Sequence, residues 1–383
     1  MRLAAVLGLL HAGLALVRAL GRAGVPVSGA ALQPREFGLV SRYLDGRAVV
    51  EDADPGRRDE LVVAALRKMA RGERLVLFAE RDEHVELVLR RFEEIRGFAD
   101  VPLPDDLEAI RRLRRKELLP LAAEEAGVPA PHTLLAADEA AIRNAELRPP
   151  FLVKPAEGQA FAHAFGEKAV VARSVEDAVA AWRRAHEHGF DTIVQELVPD
   201  SHERVFSLFT YIGRDGEPLA DVVGRKVRQG PLRFGTSAVF EVRYEPRVLE
   251  LGHRLLASVG YRGFAHVELA EDPRDGEFKL LEVNTRPPVW GGIAMTPGYD
   301  VARLAYDDLC GVAVRPLGVL TEPRTWIYFA KDAWVSAQMA RRRELGPRRF
   351  AAPYLGGRKV RATFAADDLR PVLASLAYLR TRV

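Results

Sequence analysis

The chain has 383 residues, 48% of them hydrophobic and 28% charged, which describes a folded chain too long for one hydrophobic core and excludes a disordered one. Its net charge is only +3, from 56 Lys+Arg against 53 Asp+Glu, so no nucleic-acid partner is expected. The single cysteine, Cys310, excludes an internal disulfide, and no run of about 18 apolar residues marks a membrane span; a cytoplasmic chain with no membrane partner is expected.

The opening stretch, MRLAAVLGLLHAGLALVRALGRAG, is apolar, but His11, Arg18 and Arg22 interrupt it and the strand VPVSGAAL follows. Strand–helix–strand fits this better than a signal peptide. The helix DELVVAALRKMARG and the strand RLVLFAE continue the β–α–β rhythm of a parallel sheet over residues 1–104. GLLHAG lacks the G-x-G-x-x-G spacing, so no dinucleotide site is expected there. Glu80, Asp82 and Glu83 follow the strand RLVLFA, at the end where open α/β sheets bind ligands. They are either contacts for a cationic or amino substrate or an ordinary acidic helix start.

VPLPDD, at 101–106, reads as a linker into the basic helix LEAIRRLRRKELL, and VPAPHTLLA returns to extended chain. From 151 strands dominate, among them FLVKPA, TIVQELV, RVFSLFTYI, LADVVGRKVRQ, GFAHVELAED and EFKLLEVN, with helices near 174–188 and 246–259. The HEH at 186–188 invites a metal reading, but helical positions two apart do not share a face, so no zinc is expected. Two more helices are predicted in 313–383.

The hairpin GFAHVELAED–PRDG–EFKLLEVNTR concentrates the chemistry. If its loop has an odd number of residues centred on Asp275, Glu268 faces Glu282 and His266 faces Asn284; an even loop turns them to opposite faces. Opposed carboxylates repel, so such a pair needs solvent, a shared proton or a cation. Two carboxylates and an amide oxygen form a hard oxygen set suited to Mg²⁺, and Arg286 then faces the same anion. A solvated sheet face with ordinary charges is the alternative.

The E-V-N-T-R run, the acid Glu268 fourteen positions before Glu282, Lys116 ahead of a helix and GVPAP, Lys154 in FLVKPAEG, and IVQELVPD at 193–200 fall in one order. In that order they resemble the ATP-grasp superfamily, most of all its carboxylate–amine ligase branch, which includes D-aspartate ligase. The resemblance runs from about residue 1 to 383. It implies an α/β and α+β chain: a Rossmann-like (pre-ATP-grasp) domain at 1–104, a small lobe at 105–191, a large lobe with the metal site at 192–312, and a C-terminal extension at 313–383, around central mixed and antiparallel sheets.

By the same resemblance ATP and Mg²⁺, with Mn²⁺ as a substitute, are the expected cofactors. Lys116 and Lys154 bind the α- and β-phosphates, although Arg115 stands where the family has an Asp. Adenine meets the backbone of Glu196 and Val198 and packs on Leu197, with Glu203 on the ribose. Mg²⁺ sits on Glu268, Glu282 and Asn284. The residues of GRKVRQ place Lys226 and Arg228 on one face and Arg225 on the other. The resemblance aims Lys226 and Arg228 at the γ- or acyl phosphate, with Arg286 as the third catalytic cation. The loop between Lys154 and Lys168 covers the phosphates, and the first domain contributes to the acceptor site. The implied activity joins a small-molecule carboxylate to an amine through an acyl phosphate. An ATP-grasp kinase with no amine step, a nucleotide-binding module without turnover, and a homodimeric assembly remain open.

Overall fold

The computed structural model describes residues 1–155, 160–165, 169–232 and 235–379, without the side chains of 160, 162, 163, 202, 203 and 379; the sheets and helices below are those of the described residues.

The apolar opening run forms the buried strand Ala4–Leu7, centre of a five-stranded parallel sheet. Across the sheet the strands run Gly46–Val49, Val27–Ala31, Ala4–Leu7, Leu75–Ala79 and Ala99–Asp100. Strands buried on both faces read as continuous apolar runs, which made the three inner ones visible in sequence. The two edge strands were not, because Gly46–Val49 alternates half-buried and exposed positions and Ala99–Asp100 is two residues long.

The turn from Leu7 into helix His11–Arg22 uses Gly8 at φ +90, and a Cβ on Gly13 would lie 2.0 Å from the Gly8 carbonyl. The glycines of GLLHAG therefore serve close helix–turn packing. Glu80 occupies the helix N-terminus itself: its carboxylate accepts from Leu10 N–H at 2.7 Å and Ala12 N–H at 3.0 Å. A protein carboxylate sits where a dinucleotide fold would put a phosphate. This answers the alternative left open for Glu80, which is a structural acid.

The second sheet is antiparallel, in the order Thr133–Leu135, Thr192–Glu196, Phe151–Pro155, Val170–Ala172. Helix Val175–Glu187 covers it, started by a Ser174–Asp177 capping box. Trp182 pins the helix through Nε1, which donates to the Ala136 carbonyl at 3.0 Å. Thr192–Glu196 belongs to this sheet, which therefore continues past residue 191.

The third sheet is eight-stranded. Its path runs Phe278–Asn284, Gly263–Glu271, Val205–Ile212, Pro218–Gly230, Thr236–Val242, Arg324–Ile327, Arg358–Arg361, with Gly318–Val319 beside Pro218–Gly230. Three of these strands lie beyond residue 313, so the C-terminal extension completes the large sheet instead of forming an appendage. Phe209, Tyr211, Phe240, Phe264 and Trp290 pack in one apolar cluster with Leu16, Val17 and Leu20 of helix His11–Arg22. The first domain and the large sheet thus share a core, and the tail is tied to the first domain as well. Asp368 accepts from Arg18 Nε at 3.0 Å and Ser41 Oγ at 2.7 Å, and Asp367 accepts from Arg22 at 2.7 Å and Tyr43 Oη at 2.6 Å.

Candidate active site

Where the three sheets meet lies a cleft of about 870 Å³. Lys116, Lys154, Glu196, Leu197, Val198, Lys226, Glu268, Glu282, Asn284 and Arg286 all line it. Arg228 and Glu203 are the two expected site residues missing from that lining. The side chain of Glu203 lies outside the described residues, as does Lys168. Arg228, expected in the cleft, binds Asp332 instead.

In the hairpin, Glu268 pairs with Glu282 and His266 with Asn284. The route to that register differs from the one expected. Glu271 pairs with Phe278, so the loop is 272–277, an even number of residues, and alone would set Glu268 opposite Leu281. A β-bulge inserts Leu281 between the Leu269–Leu280 and Glu268–Glu282 pairs and restores the acid-on-acid register.

Glu268 is 9% exposed, whereas Glu282 is open to the cleft. Burial pushes the Glu268 carboxyl up, but the Lys226 ammonium at 2.7 Å from Oε1 prevails and holds it down to about 2. His266 Nε2 lies 3.4 Å from the same oxygen, and burial lowers this imidazole to about 4, so it is neutral. Asn284 Oδ1 accepts from Arg286 Nη2 at 3.3 Å.

Arg286 is aimed by a residue outside the hairpin. Its Nε and Nη2 donate to the two oxygens of Asp82 at 3.0 and 2.5 Å, a bidentate pair. Arg114 Nη1 adds a contact to Asp82 at 3.3 Å and reaches Thr285 Oγ1 at 3.4 Å. Burial would raise the Asp82 carboxyl, yet Arg286 and then Arg114 hold it down at about 2. Asp82, considered in sequence as a substrate contact, is thus the partner of Arg286. The distance of 204 residues between them hid that pairing.

Lys116 Nζ donates to the Pro155 carbonyl at 2.7 Å, which brings it beside Lys154. Lys154 donates to Gln195 Oε1 at 3.0 Å. Burial, and then the neighbouring Lys116 charge, lower Lys154 to about 8, while Glu282 pulls the other way. The lobe connector is pre-set by backbone bonds: Glu196 N–H donates to the His132 carbonyl and Leu197 N–H to the Pro150 carbonyl, both at 2.9 Å. The Val198 amide donates to no described residue.

Lys226 and Arg228 do not share a face. Lys226 pairs with Phe240 but Arg228 with Val239, because the ladder slips at Val227 and again before Gln229. The slip sends Arg228 away from the cleft, onto helix Phe329–Arg341, where Nε and Nη2 bind Asp332 at 2.5 and 2.9 Å. Its Nη1 donates to the Arg349 carbonyl at 3.1 Å. Arg225, on the strand's other expected face, pairs with Glu241 at 2.5 Å.

Sequence reasoning did not find His11, Gln229, Ser237, Trp290, Tyr328, Lys331 and Tyr378, which also line the cleft. Three of these come from the C-terminal extension, and nothing in their local sequence marks them.

The donor set passes a simple test for a divalent ion. Glu268, Glu282 and Asn284 are hard oxygen donors in one register, and the buried carboxylate already holds a cationic stand-in, the Lys226 ammonium. Among the described residues, no group of three or more His, Cys, Asp or Glu side chains offers a rival metal site. No helix of the described residues is long and apolar enough to cross a membrane.

No family model matches the chain. It is 25% identical over 270 residues to the D-aspartate ligase of Enterococcus faecium (strain Aus0004), covering 67% of this chain and 64% of that one, just under two thirds of the relative's length. Among solved structures it superposes on a biotin carboxylase β-γ-ATP complex from Campylobacter jejuni with a TM-score of 0.64 at 17% identity, over 81% of this chain and 71% of that one. An L-amino acid ligase from Bacillus licheniformis gives a TM-score of 0.59 at 15% identity, over 81% and 74%.

Proposed function

We propose that this chain, which has the ATP-grasp fold and is a homologue of D-aspartate ligase, is an ATP- and Mg²⁺-dependent ligase that joins a carboxylate to an amine. The observation that carries this reading is one cleft lined by two lysines, a lobe connector and an acid–acid–amide–arginine set.

In the proposed reaction the triphosphate lies between Lys116 and Lys154 on one side and Lys226 and Arg286 on the other, with adenine against Leu197 and the open Val198 amide. Mg²⁺, held by Glu268, Glu282 and Asn284, supplies charge neutralisation of the phosphate oxygens when bound. A substrate carboxylate oxygen attacks the γ-phosphorus, the bond to ADP breaks, and an acyl phosphate forms. A neutral amine then attacks the acyl carbon, the C–O bond to phosphate breaks, and an amide, phosphate and a proton result. Phosphoryl transfer needs positioning and charge more than covalent help, which suits a site made of fixed cations. Asp82 contributes by holding the Arg286 guanidinium in one orientation. Lys226, paired with Glu268 at 2.7 Å and lining the same cleft, would add a further positive charge near the transferring group.

The relatives' names support ligation as the class of reaction and leave both substrates open. ADP release from Mg-ATP, measured across a matrix of carboxylates and amines with mass spectrometry of the products, tests the reading. An amide mass appearing with ADP is expected; a stable phosphorylated product with no amide would replace the ligase by a kinase.

A further inference from the structure

His266 lines the cleft and has no task in the account above. It stands on strand Gly263–Glu271, two positions before Glu268 and opposite Asn284, so one ring touches two residues of the proposed ion site. Asn284 Nδ2 lies 3.4 Å from its Nδ1, and Glu268 Oε1 lies 3.4 Å from its Nε2. The ring stands edge-on to Trp290, with centroids 5.5 Å apart, and Trp290 is itself stacked on Phe240 at 3.6 Å. That packing holds the plane of the imidazole. All three polar side chains are buried, so solvent screens their contacts little.

The neighbours decide which ring nitrogen carries the proton. A guanidinium has no acceptor, so the Asn284 atom 3.3 Å from Arg286 Nη2 is the amide oxygen. Arg286 is held to that arrangement because Asp82 accepts from both its Nε and its Nη2. The amide nitrogen therefore faces His266, and a ring nitrogen that meets an N–H must be the acceptor. Nδ1 is unprotonated, and the proton of the neutral ring lies on Nε2. Glu268 calls for the same tautomer independently. Nε2 makes no hydrogen bond among the described residues, but it lies 3.4 Å from a carboxylate oxygen, where an N–H is attracted and a lone pair is repelled.

We infer that His266, as the Nε2–H tautomer, is a positioning residue for the divalent ion. By accepting from the Asn284 amide it keeps Oδ1 turned away from the ring, with a second lone pair left to ligate. Its N–H dipole is turned on the Glu268 carboxylate. Asp82, Arg286, Asn284, His266 and Glu268 then form one chain of contacts that sets the ligand atoms before the ion arrives. This role rests on the ion assignment of the ligase reading, but metal binding and spectroscopy test it without turnover. Mn²⁺ titration of the full chain, followed by electron paramagnetic resonance with a non-hydrolysable ATP analogue present, compares two variants. His266→Phe keeps a ring against Trp290 and removes the acceptor; it is expected to weaken Mn²⁺ binding about 10- to 100-fold. His266→Asn gives up the ring but offers Oδ1 in place of Nδ1, and is expected to keep the wild-type affinity. A residue that only fills space gives the reverse order, and wild-type affinity in His266→Phe overturns the role. ¹⁵N spectra of the metal-free chain at neutral pH, labelled in its histidine rings, carry the second readout. The signal that His266→Phe removes is expected to show the proton on Nε2; a proton on Nδ1 overturns the role as well. The expected order of affinities with no ADP release under any amine keeps the positioning role and sinks the ligase reading, whereas the reverse order with amide still formed does the opposite.

Discussion

Two strands of the large sheet carry the same kind of sequence signal and give opposite results. In the hairpin Gly263–Asn284, a bulge at Leu281 corrects an even loop and sets Glu268 against Glu282. In Pro218–Gly230, a slip at Val227 separates Lys226 from Arg228 and buries the second against Asp332. Alternation assigns a face only while the ladder stays regular, and one extra residue reverses it. The bulge in one strand builds the acid pair; the slip in the other leaves Lys226 in the cleft and turns Arg228 onto Asp332.

The hairpin side of this contrast breaks most visibly. Glu282→Gln and Asn284→Ala are each expected to lower ADP release by about 10²–10³-fold. Far-UV circular dichroism should stay unchanged for Glu282→Gln, because Glu282 is exposed. Near-normal turnover in either variant would remove the pair from the chemistry.

The second strand sharpens the contrast in one comparison. Lys226→Ala is expected to lower turnover by about 10²-fold and, because it leaves the nearly buried Glu268 carboxylate without its cation, to lower the melting temperature as well. Arg228→Ala leaves Asp332 buried without its cation, so it should cost about 3–5 kcal/mol in urea unfolding. Its folded fraction should keep most of the wild-type rate. A stable but inactive Arg228→Ala would return that residue to the cleft.

Lys154 gives a pH signature. Its ordinary value is lowered to about 8, chiefly by burial, and bound phosphate favours the charged form. Nucleotide binding therefore takes up a proton above pH 8. Affinity is full below about 8 and falls by up to about tenfold per unit above it, until the bound lysine also titrates. Fluorescence titration of a nucleotide analogue between pH 7 and 9.5 measures the slope, and Lys154→Met should abolish it.

The smallest effect concerns Asp82, which ties the first domain to Arg286. Its folded value near 2 lies below the ordinary 3.8, so its stabilisation is present above about pH 4 and is lost as pH falls toward 2. Partial exposure limits the worth of the pair, so Asp82→Asn should lower unfolding free energy by about 1 kcal/mol at pH 7 and by less at pH 3.

Much of the site was legible because it is local. Lys154, Glu268, Glu282 and Asn284 lie in short strands, with Arg286 two residues past the end of one, and the apolar runs of the first sheet announce their burial. What the sequence hid is long-range or irregular. The Asp82–Arg286 pair spans 204 residues, Tyr328 and Tyr378 reach the cleft only because the tail folds back on the first domain, and neither bulge has a residue that signals it. Glu80 misled for another reason: an acid after a strand reads as a ligand contact until the helix amides it caps are seen.

The most direct test of the central claim follows oxygen. A carboxylate substrate labelled with ¹⁸O in both positions, turned over with Mg-ATP and its amine, should deliver one ¹⁸O to the released phosphate and keep the other in the amide. Phosphate free of label, with amide formed, would mean that the carboxylate never attacked phosphorus and would contradict the account.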